Sequence, residues 1–144
     1  MLLEDAPLTP GSQARVQLVL ETPIAAAAGD RFVLRDVSAQ RTIGGGRLLD
    51  LRAPARKRRT PARLAQLDAL AIEDGEQALA RLLDCEPGYV DLGAFARDRA
   101  LGPAQWAAAV ERLAVIRIPA KDAVIGLGAA TWLRFKRALA ARLA

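Results

Sequence analysis

Between Arg52 and Arg63 the chain places six basic residues, Arg52, Arg56, Lys57, Arg58, Arg59 and Arg63, and no acidic one. The chemistry such a run offers is phosphate neutralisation. Adjacent cations repel one another, and a bound polyanion, whose condensed counterions they displace into solution, relieves that repulsion. The net charge of the whole chain is +5, so this segment (+6) holds all of the excess and the remaining residues sum to −1. Arg56, Lys57, Arg58 and Arg59 are the candidate phosphate contacts. The competing reading is a solvated linker that keeps two parts of the chain soluble and apart. No aromatic residue is interleaved with the run, so it offers no platform for stacking bases.

Other residue groups carry less chemistry. Gly44-Gly45-Gly46 could cradle a phosphate, but no Lys-Ser/Thr pair follows it and the next residues continue as a strand instead of opening a helix. The run reads as strand glycine, at a bulge or a close backbone approach. Asp68, Glu73, Asp74 and Glu76 cluster near a helix junction, where capping and solvation explain them more simply than a metal. The chain has no histidine and one cysteine, Cys85. That excludes an internal disulfide, a Cys/His zinc site, and the Ser-His and Cys-His nucleophile pairs. No catalytic and no metal-binding residue is expected. Cys85 reads as a small buried apolar residue in a reducing, cytoplasmic setting.

The elements that would position these groups change character near Pro54. Before it the period is two. Val16, Leu18 and Leu20 alternate with Arg15, Gln17 and Val19, and Thr22-Pro23 ends that strand. Arg31 to Asp36 is a second strand, with Phe32 and Leu34 on one face and Val33 and Arg35 on the other; Thr42 to Leu51 is a third. After Pro54 the period is 3.6. Thr60-Pro61, Asp74, Asp91 and Gly102-Pro103 each open a helix. Their inward residues are Leu64, Leu67 and Leu70, then Leu79, Leu82 and Leu83, then Leu92 and Phe95, then Trp106, Val110 and Leu113. Tyr89-Val90 is a short extended piece. Val115–Ile118 and Ala123–Leu127 flank the turn Pro119-Ala120-Lys121-Asp122, which makes a hairpin, and a last helix from about Ala129 carries Trp132, Phe135 and Leu139 on one face. Hydrophobic residues make up 52% of the chain but aromatics only 4%, which favours helices packed through Ala and Leu. No apolar run is long enough to cross a bilayer, and no membrane partner is expected.

The fold class predicted is α+β in two parts. A partial antiparallel β-barrel occupies residues 1–53, a basic linker residues 54–60, and a mostly helical winged-helix domain residues 61–144. In the last, the helix of Trp106 would be the recognition helix and Lys121 the wing tip. Its outward residues, Ala104, Gln105, Ala107, Ala108, Ala109, Glu111 and Arg112, make a poor reader of base edges.

Pro10-Gly11, Val16-Gln17-Leu18, Thr22-Pro23-Ile24, the run Gly29 to Asp36 and the run Arg41 to Gly46 resemble the C-terminal half of the third domain of the translation elongation factors that carry aminoacyl-tRNA. There they build strands of a six-stranded antiparallel barrel. The triple glycine, Leu48-Leu49-Asp50, and the Ala53-Pro54 exit into arginines are similar, more particularly, to the selenocysteine-specific elongation factors, whose barrel continues into a tandem array of winged helices. Arg63-Leu64-Ala65 with Leu67 and Leu70 resembles the start of that array. The resemblance covers nearly the whole chain and is most specific over residues 10–50.

The resemblance implies selenocysteyl-tRNA and the ribosome as partners, with messenger RNA held by later winged helices that this sequence lacks. It places Asp36, Val37 and Ser38 beside the T-stem of the tRNA, with Arg41 as a phosphate contact. Thr22 stands where a basic residue often precedes the proline, and Arg31 and Arg35 would stabilise the barrel. GTP and Mg2+ belong to a GTPase domain that is not in this sequence, so neither cofactor nor GTP hydrolysis is expected of this chain. On this reading it is a fragment whose half-barrel has unpaired strand edges. The rival readings are a DNA-binding winged-helix regulator with an unrelated β-appendage, and a protein-interaction module.

Overall fold

A computed structural model describes residues 1–3 and 7–143. Among them lie two antiparallel sheets and five helices. In the first sheet β1 (Arg31–Arg35) pairs with β2 (Thr42–Arg47). Gly44 opposes Leu34 and Thr42 opposes Arg35, so Ile43 is the extra residue of a bulge. Close approach accounts for the glycines beside it. A Cβ on Gly45 would lie 2.7 Å from the carbonyl oxygen of Phe32, and one on Gly46 would lie 2.8 Å from the Phe32 ring. A bulge and a close approach are the two alternatives for the triple glycine, and both occur.

Two strand assignments need correction. Residues 16–20 form no strand. Met1 and Leu3 make backbone bonds with Gln17 and Arg15 around a single Leu2–Val16 bridge, and among the described residues no further pairing continues it. Val19 is 83% exposed, so the alternating pattern has no neighbouring ladder to bury against among the described residues. The third strand ends at Arg47, before the predicted Leu51. Its pairing runs on for one residue, Leu48 with Gly29 and Asp30, until Asp50 accepts from the backbone N–H of Arg52 at 2.8 Å and turns the chain. The described strands of this part do not close into a barrel.

The helical part follows its capping chemistry. α1 (Pro61–Leu70), α2 (Gly75–Asp84) and α3 (Leu92–Asp98) begin at Thr60, Asp74 and Asp91, whose side chains accept from the N–H three residues on at 3.2, 2.8 and 2.9 Å. α4 (Pro103–Arg112) starts with proline after Gly102 and has no side-chain cap. Between α2 and α3 lies β3 (Tyr89–Asp91). The hairpin β4 (Ile116–Ala120) and β5 (Ala123–Leu127) completes a second sheet in the order β3-β5-β4. Its turn is only Lys121-Asp122, because Pro119 stays in the ladder opposite Val124. Pro119 is tolerated there because β4 is an edge strand. Ala78, Leu79, Leu83, Leu92, Phe95, Val110 and Val115 form the core, and Trp106 stacks on Phe95 with ring centroids 5.4 Å apart. Gly126 lets the hairpin press onto α3, since a Cβ there would come within 2.6 Å of Leu92. α5 (Ala129–Leu143) buries Thr131, but Phe135 and Leu139 of its expected inner face are exposed.

Arginine–carboxylate pairs tie the first part of the chain to the second. Arg47 bonds Glu73 at 2.5 Å and the Ala71 carbonyl at 2.9 Å. Arg52 grips Asp98 through two bonds of 2.7 and 2.9 Å. Arg15 pairs with Asp68, and Arg63 of α1 reaches back to Asp50.

Candidate nucleic-acid interface

The loop between β1 and β2 holds all four residues that the family resemblance assigns to tRNA. The carboxylate of Asp36 organises it, accepting from the Ser38 hydroxyl at 2.9 Å, the Gln40 N–H at 3.0 Å and the Arg41 N–H at 3.3 Å. The Ser38 bond, then the Arg41 N–H, hold this carboxyl below its usual pKa. The Asp36 N–H in turn donates to the Arg41 carbonyl at 2.9 Å, and Ala39 adopts a left-handed φ of +57°. Arg35 donates to the Ala39 carbonyl at 3.1 Å, which braces the loop from its base. Asp36 Oδ1 and the Ser38 hydroxyl are thus engaged within the loop itself. Val37 stands fully exposed at its tip, and the Arg41 guanidinium is exposed with no bond to the described residues. The arrangement is an internally hydrogen-bonded projection with one exposed cation and one apolar tip.

In the basic segment the six cations separate into classes that composition does not distinguish. Arg52 and Arg63 are neutralised by Asp98 and Asp50, carboxylates from outside the run. Arg58 folds back onto the Ala55 carbonyl at 2.8 Å and the Met1 sulfur at 3.4 Å, and Arg59 donates to the Leu2 carbonyl at 2.8 Å. Arg56 and Lys57 are exposed, and their side chains make no hydrogen bond or ion pair with any described residue; the Lys57 carbonyl accepts from the Thr60 hydroxyl at 3.4 Å. Lys57 sits at a left-handed φ of +54°, the bend of the segment. Residues 55–60 and Met1 line a shallow concavity of about 540 Å³, with no acidic residue among its described lining.

The third region, α4, is poorer in reading groups than its sequence suggests. Arg112 is clamped by Glu76 of α2 through contacts of 3.1, 3.1 and 2.5 Å, which hold the Glu76 carboxyl below its usual pKa and raise that of Arg112. Ala109, expected to face outward, is buried because it packs toward the core beside Val110. Gln105 remains exposed, as does Lys121 at the hairpin turn. The acidic cluster dissolves into separate tasks: Asp68 pairs with Arg15, Glu73 with Arg47 and Glu76 with Arg112, while Asp74 caps α2. Among the described residues no group of His, Cys, Asp and Glu could hold a metal. Cys85 is buried and free, as its sequence context predicts.

One functional-looking residue escaped the sequence reading. Arg99, on the turn after α3, donates to the carbonyls of Leu70, Ile72 and Glu73 at 2.6, 2.9 and 3.3 Å and so satisfies the C-terminal end of α1. Its guanidinium lies 5.1 Å from the Phe95 ring centre, and burial, followed by the charge of Arg47, lowers its pKa. Nothing in the spacing around Arg99 announces this, because its partners lie 26 to 29 residues away.

Residues 1–55 match the family described as selenocysteine-specific elongation factor, beta-barrel domain. The selenocysteine-specific elongation factor of Escherichia coli K12 is 41% identical over 85 residues, covering 59% of this chain and 14% of that protein. The factor of the same name from Haemophilus influenzae is 31% identical over 83 residues, covering 57% of this chain and 13% of the relative. The chain therefore spans about one seventh of the length of these relatives, and the resemblance carried by residues 10–50 is borne out.

Proposed function

We propose that this chain, whose first 55 residues match the β-barrel domain of selenocysteine-specific elongation factors, serves selenocysteine incorporation during translation by holding selenocysteyl-tRNA and linking the tRNA-facing strands to a messenger-facing end. That match carries the reading. It is supported by the preformed loop of Asp36, Val37, Ser38 and Arg41, which offers a rigid contact at the place where the family meets tRNA. Residues 1–53 form the barrel portion, 54–60 the linker and 61–144 a winged-helix domain. The order α2-β3-α3-α4-β4-β5 with sheet order β3-β5-β4 supports that assignment. The ribosome is the second partner, and the compartment is the cytoplasm.

These 144 residues contain no P-loop sequence, and GTP hydrolysis and its Mg2+ are no part of their work. Tight GTP binding by this chain, measured by equilibrium dialysis, would contradict that statement. The DNA-regulator reading is disfavoured by the clamp on Arg112, which removes the one arginine α4 could offer to guanine. Competition binding tests the choice. Salt-sensitive preference for tRNA over duplex DNA is expected, and sequence-specific duplex binding would overturn it.

A further inference from the structure

We infer that the basic segment grips an RNA backbone through two residues only, Arg56 and Lys57, while Arg58 and Arg59 serve as internal braces that shape the shelf. The inference rests on the tRNA-binding reading above for the identity of the polyanion. The division among the four cations comes from the structure alone. Arg58 and Arg59 direct their guanidinium donors at the carbonyls of Ala55 and Leu2, and Arg58 also at the Met1 sulfur, so they fasten the segment to the first residues of the chain. The side chains of Arg56 and Lys57, exposed and without a bond to any described residue, keep their cationic donors for a ligand.

Lys57 stands at the left-handed bend, and both Arg56 and Lys57 line the concavity of residues 55–60. Among the described residues no carboxylate lines that concavity, and its charged lining residues are Arg56, Lys57, Arg58 and Arg59. With no aromatic in the segment, the contact reads charge and spacing, not base identity. Two phosphate contacts, not four or six, are therefore expected from a segment that composition alone would credit with six cations.

The test is the salt dependence of binding to unfractionated, deacylated tRNA by the full chain and by the double variant Arg56→Gln/Lys57→Gln. Both side chains are exposed, so folding should persist, and circular dichroism checks it. The double variant should show a log K versus log salt slope shallower by roughly 1.5, meaning that the loss of affinity between 50 and 200 mM salt shrinks about tenfold. The charge-retaining pair Arg56→Lys/Lys57→Arg should restore the original slope. A charge-matched pair elsewhere, Arg81→Gln/Arg117→Gln, should leave it unchanged. An unchanged slope in the first variant, or an equal drop in the control pair, overturns the inference while leaving the tRNA reading in place. No binding of the unaltered chain to tRNA at low salt overturns both.

Discussion

Asp36 acts on the β1–β2 loop before any partner arrives. Its carboxylate collects three donors from within the loop, so its contribution is to hold Val37 and Arg41 in place. Asp36→Ala should weaken tRNA binding by roughly tenfold, about the free energy of one charge-assisted hydrogen-bond set. Arg41→Gln should weaken it through the phosphate term alone and flatten the salt slope by roughly 1. Filter binding across a salt series separates the two. The pH sense also follows. The folded-state pKa of Asp36 is depressed, so loop order is present above the unfolded-state pKa of the group and is lost as pH falls through the lower, folded value. Amide exchange at Gln40 and Arg41 should stay slow at neutral pH and quicken only under strongly acid conditions. Fast exchange already at pH 6 would show that the carboxylate does not organise the loop.

The glycine-bearing strand makes a sharper case, because adjacent glycines differ. A Cβ on Gly44 meets nothing within 4 Å, whereas one on Gly45 would sit 2.7 Å from a backbone oxygen of Phe32. Gly44→Ala should be close to neutral in urea denaturation. Gly45→Ala should cost about 1–3 kcal/mol, because a strand backbone cannot give way like a flexible side chain. Equal effects would mean that the glycines serve conformation and not approach. This pair also marks how far the sequence could be read. The caps at Thr60, Asp74 and Asp91, the hairpin, and the bulge near the glycine run were legible because each rests on local chemistry. The alternation at 16–20 forms no strand because it promises a ladder only where a neighbour lies alongside, and among the described residues none lies beside Leu18 to Leu20. The inner face of α5 failed for the same reason, as Phe135 and Leu139 find nothing to cover them among the described residues. The basic segment was located by composition, but which of its cations were available depended on Asp50 and Asp98, and the latter lies 46 residues from Arg52. Pairings of that separation leave no local signature.

How the strand-bearing and helical parts hold together depends on ion pairs of very different burial. Arg63 and Asp50 keep 11% and 16% of their side-chain surface exposed, whereas Arg15 and Asp68 keep 32% and 61%. Asp50→Ala would strand a nearly buried guanidinium and should destabilise the chain by roughly 3 kcal/mol. Asp68→Ala should cost less than about 1 kcal/mol, because solvent already screens that pair. Thermal melts of the two variants should differ accordingly, and equal losses would show that the contact between the parts is not set by burial.

The claim that this chain works at tRNA is tested most directly by hydroxyl-radical footprinting of the full chain with and without tRNA. Protection is predicted at Val37, Arg41, Arg56 and Lys57, with the exposed residues of α4 unchanged. Protection confined to Gln105 and its neighbours on α4 and to Lys121 at the hairpin turn, with residues 36–41 and 56–57 unaltered, would contradict the account.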